Sequence, residues 1–266
     1  MGLSPCTSIH CDTHVHTRLC GHAVGEMEDY VQAAVRKGLE RIVFLEHMEE
    51  GILTPKPSWL SETDFDYYFK EGGRLQEKYG GEIDIGLGVE CGYNPDCKEI
   101  LQKRLSSRKW DQIGISCHFL KVENEQNHLN LFSKNPENIN RAVRLDTTIL
   151  FDRYLDTLLE AVTTLNGTLL CHLDAAFRWI PGHVLTKQHY VKIDAILGQA
   201  AAKGMALEIN TSGIAIRNEP FPNSRILTLA RKHSMTFQLG SDAHKPENVG
   251  NYFDQLSSLP FLKLFR

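Results

Sequence analysis

The sequence predicts an α/β protein: one closed parallel barrel of seven strands with its helices outside, of the TIM-barrel type. Three observations carry this. Apolar, β-branched runs alternate with helical stretches along the chain, the pattern of a parallel sheet joined by crossover helices. Residues able to bind metal stand at the ends of six of these runs. An open doubly wound sheet would collect ligands from two or three neighbouring strands at a switch point, whereas a closed barrel brings many strand ends round one mouth. Finally, 266 residues is an ordinary length for a closed α/β barrel, so residues 1–266 read as a single domain.

The elements follow in order. The first run, Ser8 to His16, places His14 and His16 two apart, so both imidazoles point to one face and can reach one ion. A helical stretch from about Glu26 to Lys37, closed by Gly38, leads to the second run, Arg41 to His47. A helix near Asp64 to Tyr79, stopped by Gly80 and Gly81, precedes the third run, Glu82 to Glu90. A basic helix around Cys97 to Lys109 precedes the fourth, Asp111 to His118. Lys121 to Asn140, rich in Asn and Glu, reads as a long loop over the site. A helix from about Pro136 to Leu165, broken somewhere inside, leads to the fifth run, Gly167 to Asp174, which carries His172. The helix Lys187 to Ala202 leads to the sixth run, Met205 to Thr211, where Glu208 and Asn210 share a face. The helix Asn223 to His233 precedes the seventh, Met235 to His244, in which Asp242 and His244 repeat the spacing of two. Asn248 to Arg266 reads as a loop and a terminal helix.

Composition narrows the function classes. With 42% hydrophobic and 23% charged residues the chain can bury a sizeable core and is not a disordered one. A net charge of −4 offers no basic field for nucleic acid. Met1 to Cys6 lacks a basic segment followed by an apolar run, and no 18-residue apolar span exists, so a soluble cytoplasmic protein with no membrane contact is expected. Seven cysteines, an odd number in a chain too long to need stapling, favour reduced thiols. Cys91, Cys117 and Cys171 each neighbour a candidate ligand on a strand and should point the opposite way, into the helix layer. Cys20, between His16 and His22, stays a candidate.

The candidate ligands are His14, His16, His22, His47, Glu90, His118, His172, Asp242 and His244. Nine are too many for one ion, since four to six donors satisfy zinc, iron or manganese; two or three divalent ions close together are implied. A carboxylate such as Glu90 can bridge two of them with its two oxygens.

Together His14-x-His16, Leu45-Glu46-His47, Gly88-Val89-Glu90, Ser116-Cys117-His118, Cys171-His172-Leu173-Asp174 and Gly240-Ser241-Asp242-Ala243-His244 resemble the polymerase and histidinol phosphatase (PHP) superfamily, from Asp12 to about Gly250. The string Thr13-His14-Val15-His16-Thr17 with Leu19-Cys20-Gly21-His22-Ala23 is most similar to its monofunctional histidinol-phosphate phosphatases. The resemblance implies a distorted seven-stranded barrel with a trinuclear centre. It implies one ion on His14, His16, Glu90 and Asp242, a second on His22, His47 and His244, and a third on Glu90, His118 and His172. Many members have Thr-Asp-His where this chain has Leu45-Glu46-His47, which touches the surroundings of the ligands rather than the ligands.

The expected reaction is hydrolysis of a small phosphomonoester, L-histidinol phosphate by resemblance, with Glu90, Asp242 and His244 carrying catalysis. Divalent ions make hydroxide available at neutral pH and offset charge on the phosphoryl oxygens, so in-line attack on phosphorus needs no protein nucleophile. A guanidinium can form two parallel hydrogen bonds to the phosphate, and Arg178, Arg217 and Arg18 lie in mouth-side loops. Asp174 could protonate the leaving group, or orient a histidine, the role ranked first. Acidic residues of Glu123 to Asn140 could meet the substrate amine. Three other readings compete. A PHP-type phosphoesterase could act on a nucleotide or another small phosphomonoester. A metal-dependent amidohydrolase also begins with His-x-His on a barrel strand but usually has a bridging Lys on the fourth strand, where this chain has His118. A non-catalytic metal-binding barrel would also hold the ligands.

Overall fold

The structure is a computed structural model that describes residues 8–180 and 182–256. Its elements alternate as expected: β1 (Cys11–Val15), α1 (Met27–Arg36), β2 (Arg41–Met48), α2 (Glu62–Tyr79), β3 (Asp84–Gly92), α3 (Lys98–Ser106) and β4 (Ile113–Ser116). A short hairpin follows, β5 (Phe119–Leu120) and β6 (Leu129–Asn130), then α4 (Pro136–Arg144), α5 (Thr147–Thr164) and β7 (Leu169–Leu170). The chain continues through α6 (Lys187–Ala202), β8 (Ala206–Asn210), α7 (Ile214–Arg217), α8 (Ser224–Lys232) and β9 (Phe237–Gly240).

Seven strands form one sheet in the order β1-β2-β3-β4-β7-β8-β9, with every neighbouring pair parallel. The sheet closes on itself through the segment just after β9. His16 N donates to Ala243 O at 2.9 Å, Asp242 N to His14 O at 2.8 Å, and Thr13 Oγ1 to Leu239 O at 2.9 Å. Asp12 holds this seam from below, accepting from Ser241 N at 2.9 Å and from Gly250 N at 2.7 Å. The closing bonds are made by the residues that carry His14, His16 and Asp242, so closure and site assembly are one event.

The helices earn their places by periodicity. In α5 the buried Phe151, Tyr154, Leu155, Leu158, Ala161 and Val162 recur at helical spacing on one face. Burying each large apolar side chain there contributes roughly 1.5–3 kcal/mol relative to exposure. The expected break between α4 and α5 falls at Asp146, whose φ of +61° ends one helix while its carboxylate accepts from Thr148 N at 2.9 Å and caps the next. Inside the barrel Val43, Leu45, Leu169, Cys171 and Ala206 form a small core of their own.

Three expectations are corrected. Five of the seven strands, all but β2 and β3, are shorter than the apolar runs that announce them, and the fourth ends at Ser116, leaving His118 in the link to the unforeseen hairpin. Cys171 faces the barrel interior, not the helix layer, because β7 is only two residues long and His172 takes a φ of +21°, which breaks the alternation of side chains. Cys91 and Cys117 do join the outer core. Cys20, Cys91, Cys97, Cys117 and Cys171 are free thiols, but Cys11 is disulfide-bonded. Part of the stretch read as a terminal helix, 257–266, lies outside the described residues, as does the N-terminal segment 1–7.

Candidate metal centre

All nine candidate ligands converge at the mouth formed by the C-terminal ends of the strands. His14 lies on β1 and His16 just past it; His47 on β2 stands opposite Glu90 on β3 in the sheet register. His118, His172, Asp242 and His244 follow β4, β7 and β9. His22 enters from the β1–α1 loop, at the end of a turn capped by Thr17 and closed by Gly21 at φ +76°.

Glu90 is the hub and is fully buried. Its Oε1 lies 3.0 Å from His118 Nε2 and 2.8 Å from His172 Nε2. Its Oε2 lies 2.9 Å from His47 Nδ1, 3.5 Å from His14 Nε2 and 3.7 Å from His16 Nε2. Asp242 Oδ1 is 3.3 Å from His16 Nε2 and 3.5 Å from His244 Nδ1. Two pairs of ring nitrogens face each other at 2.8 Å, His14 Nε2 with His16 Nε2 and His22 Nε2 with His244 Nε2.

These residues fit divalent cations. Within His16, His47 and His244, within His14, His16 and Asp242, and within His14, Glu90 and His172, the ligand atoms all lie within 4.8 Å of one another. The contacts to Glu90 Oε2 lack hydrogen-bond geometry, and this buried oxygen has no hydrogen-bond partner among the described residues. Nor have the buried His16 Nδ1 and His172 Nδ1. Burial would raise the Glu90 acid, but His118, His172, His47 and His14 outweigh it and hold the carboxylate well below its usual range. Burial, His47 and His244 hold the His16 imidazole well below its usual value, favouring a lone pair free for a metal.

A second ring of carboxylates orients the ligands. Glu208 Oε1 sits 2.7 Å from His14 Nδ1 and its Oε2 accepts from His172 N at 2.7 Å. Glu49 Oε1 sits 2.6 Å from His118 Nδ1. The contacts at His14 Nδ1 and His118 Nδ1 each fix an imidazole by one nitrogen so that its Nε2 faces Glu90, and the bond to His172 N holds the backbone that carries the third ring. Neighbouring glycines make room: a Cβ at Gly240 would stand 2.2 Å from Glu208 Oε1, and one at Gly92 1.9 Å from Glu49 Oε1. Sequence reading assigned neither glutamate a role, although Glu49 repeats the spacing of two after His47 and Glu208 shares its face with Asn210.

Glu46 points away from the centre, and its Oε1 accepts from Thr17 N at 2.8 Å and Thr17 Oγ1 at 2.5 Å. Burial, opposed by these bonds, pushes its carboxyl up to about 8. Cys20 is buried with its sulfur within 4.8 Å of ligand nitrogens of His22 and His244, and burial pushes its thiol up to about 12.

The three arginines separate clearly. The Arg178 guanidinium lies 5.1 Å from the Phe132 ring and 5.8 Å from Phe221, its buried Nε without a partner among the described residues. Its charge feels Asp242, Glu90 and Glu208, while burial draws its pKa down. Arg217 is committed elsewhere, with its terminal nitrogens 3.1 and 3.0 Å from the Asp174 oxygens. Arg18 is half exposed and paired with Glu26. Asp174 therefore orients Arg217, and with it Asn223, rather than a histidine. In the loop joining the two hairpin strands, Glu125 is paired with Arg141, whereas Phe132, just past β6, lies 5.2 Å from the His118 ring and 5.0 Å from His172. That apolar wall went unnoticed in a loop distinguished by its polarity.

A closed (β/α) barrel whose mouth gathers histidines and carboxylates around one bridging glutamate defines a metal-dependent hydrolase barrel. The chain belongs to the PHP family: the PHP domain model matches residues 12–212, and the PHP-associated model matches 220–257. The probable histidinol-phosphatase of Deinococcus radiodurans is 30% identical over 255 residues, covering 91% of this chain and 89% of that one. The histidinol-phosphatase of Bacillus subtilis is 22% identical, covering 91% and 96%. The crystal structure of histidinol phosphate phosphatase from Lactococcus lactis, complexed with zinc, L-histidinol and phosphate, superposes with a TM-score of 0.79 at 22% identity, covering 96% of this chain and 93% of that one, a likeness of fold. No helix among the described residues is long and apolar enough to cross a membrane.

Proposed function

We propose that this protein is a metal-dependent histidinol-phosphatase, hydrolysing L-histidinol phosphate to L-histidinol and phosphate. The family and the Deinococcus relative support this activity. The observation that carries the chemistry is Glu90, fully buried with ring nitrogens of three histidines at 3.0 Å or less from its two oxygens. We assign one ion to His14, His16, Glu90 and Asp242, a second to His22, His47 and His244, and a third to Glu90, His118 and His172, with zinc favoured by the complex of the Lactococcus protein. Such ions supply a nucleophilic water at neutral pH and Lewis acidity toward the phosphoryl oxygens.

The chain's own residues do the rest. Glu90 neutralises cations on both sides of it, Glu208 and Glu49 hold His14 and His118 in fixed orientations, and Arg178 is the phosphate-binding guanidinium because its head lies against Phe132 and Phe221 and has no carboxylate partner among the described residues. Arg217 supports the mouth through Asp174, and Phe132 walls the centre against water. The barrel acts as one unit, since the region matched by the PHP-associated model contains β9, and β9 leads into the seam with β1. A cytoplasmic setting and a small-molecule substrate accord with a biosynthetic phosphatase. An amidohydrolase is disfavoured because β4, Ile113–Ser116, contains no Lys.

The test is phosphate release from L-histidinol phosphate, AMP and p-nitrophenyl phosphate by metal-loaded and chelator-stripped protein. A metal-dependent preference for L-histidinol phosphate is expected; a preference for AMP would move the substrate to nucleotides.

A further inference from the structure

We propose that Glu46 is a positioning residue for the ligand His22: it clamps the β1–α1 loop to the strand that carries His47, so that the two histidines meet at one ion. This rests on the metal-centre reading above and concerns a residue outside the ligand set.

Glu46 occupies the position before His47 on β2. Alternation along the strand sends His47 to the mouth and Glu46 to the opposite face, beneath the loop that follows β1. There its side chain is fully buried, and one oxygen receives both hydrogen bonds from Thr17, the backbone N at 2.8 Å and Oγ1 at 2.5 Å. Thr17 directly follows His16. Its hydroxyl also accepts from Leu19 N at 3.3 Å, capping the single turn Arg18–Cys20, and that turn ends by delivering His22. The far end of the loop is tied separately, by Val24 N to His244 O at 3.0 Å and Tyr30 Oη to Val24 O at 2.7 Å. The near end, the one that aims His22 Nε2 at His244 Nε2, is tied through Thr17 to Glu46.

Fold stability alone does not account for this arrangement. The second oxygen, Glu46 Oε2, is buried without a hydrogen-bond partner among the described residues. A buried unsatisfied polar atom costs on the order of 1–3 kcal/mol, and an apolar side chain of similar size would fill the same space without it. What an apolar residue could not do is accept two hydrogen bonds from the residue after His16. Glu46 thereby joins the loop bearing His22 to the strand bearing His47, two donors of the same ion.

The test measures metal content per chain after passage over a chelating resin, together with the melting temperature of the metal-free protein. Glu46→Gln keeps the acceptor and is expected to retain the wild-type complement. Glu46→Leu removes both hydrogen bonds of the clamp and Thr17→Val removes the one from the hydroxyl, and each should hold one ion fewer, through ~10- to 100-fold weaker affinity. The double variant should lose no more than either single one, and Thr17→Ser should restore the complement. The metal-free Glu46→Leu protein should melt no lower than metal-free wild type; if it does not fold, Thr17→Val decides alone. Full metal content in Glu46→Leu and Thr17→Val, or metal loss that tracks an equal fall in metal-free melting temperature, would overturn the clamp. A wild-type protein that bound no ions would instead overturn the metal-centre reading itself.

Discussion

His118 is held at both ends of its ring: Nδ1 lies 2.6 Å from Glu49 Oε1 and Nε2 lies 3.0 Å from Glu90 Oε1. A carboxylate on the far nitrogen fixes the ring plane and raises the basicity of the nitrogen that faces the centre. Glu49→Gln can still meet His118 but carries no charge, so metal affinity and kcat should fall together by ~10- to 100-fold. Isothermal titration of metal-free protein with zinc, beside steady-state rates at saturating zinc, reads both.

The space for Glu49 is provided by a missing side chain. A Cβ on Gly92 would stand 1.9 Å from Glu49 Oε1 and 2.2 Å from its Cδ, both within a buried strand environment. Gly92→Ala should therefore displace Glu49 and mimic its loss of metal affinity, with a stability cost of ~1–3 kcal/mol from overpacking. Urea unfolding of the metal-free protein gives the second number. Unchanged affinity in Gly92→Ala would show that Glu49 has another way to reach His118.

The nine candidate ligands were legible because eight are metal-binding residue types at or near the ends of apolar runs, with His22 close behind the first of them, and the alternation of strands with helices was legible from apolar periodicity. What stayed hidden depends on neighbours that only folding supplies. Glu49 and Glu208 read as ordinary acids until the first is found against His118 and the second against His14 and His172. Arg178 and Arg217 are equivalent by position after a strand; Asp174 alone distinguishes them, by claiming Arg217. Cys171 was placed by an alternation that β7 is too short to maintain. Phe132 lies far from any ligand in sequence and reaches His118 and His172 only because the hairpin turns the loop back over the mouth.

Metal removal should destabilise the protein, because the centre ties together the strands that close the barrel. Ligands that bind only the folded state add RT ln(1 + [L]/Kd), about 2.7 kcal/mol at a hundredfold excess over Kd for each site. Chelation is expected to lower the melting temperature and re-addition of zinc, manganese or iron to restore it, while Glu90→Gln should show little response to any of them. A full response in Glu90→Gln would remove the bridge.

Away from the mouth, Glu28 links α1 to α2. Lys78 and Arg74, each 2.5 Å away, and Tyr79 Oη at 2.8 Å hold its carboxyl at about 2. Because the folded value lies below the unfolded one, the linkage stabilises above the ordinary value of 4.5 and is lost as pH falls toward 2. The partners are exposed and screened, so the effect is small. Glu28→Gln should lower the urea midpoint at pH 6, and the gap from wild type should close on acidification to pH ~2.

The two mouth-side arginines should fail in different ways. Arg178 has aromatic rings at 5.1 and 5.8 Å and no carboxylate partner among the described residues, so its loss should remove phosphate recognition and little of the fold. Arg178→Ala is expected to lower kcat/KM for L-histidinol phosphate by ~10²- to 10³-fold and to weaken inhibition by inorganic phosphate in parallel. Arg178→Lys should recover only part of this, since an ammonium cannot form the paired hydrogen bonds of a guanidinium. Arg217 is bound to Asp174, whose side chain is only 1% exposed, so Arg217→Ala strands a buried carboxylate at a cost of about 3 kcal/mol. The double variant Arg217→Ala with Asp174→Asn should recover much of that stability by removing the orphaned charge. Should Arg217→Ala weaken phosphate inhibition while leaving stability intact, and Arg178→Ala do the reverse, the assignment of phosphate to Arg178 would have to be exchanged.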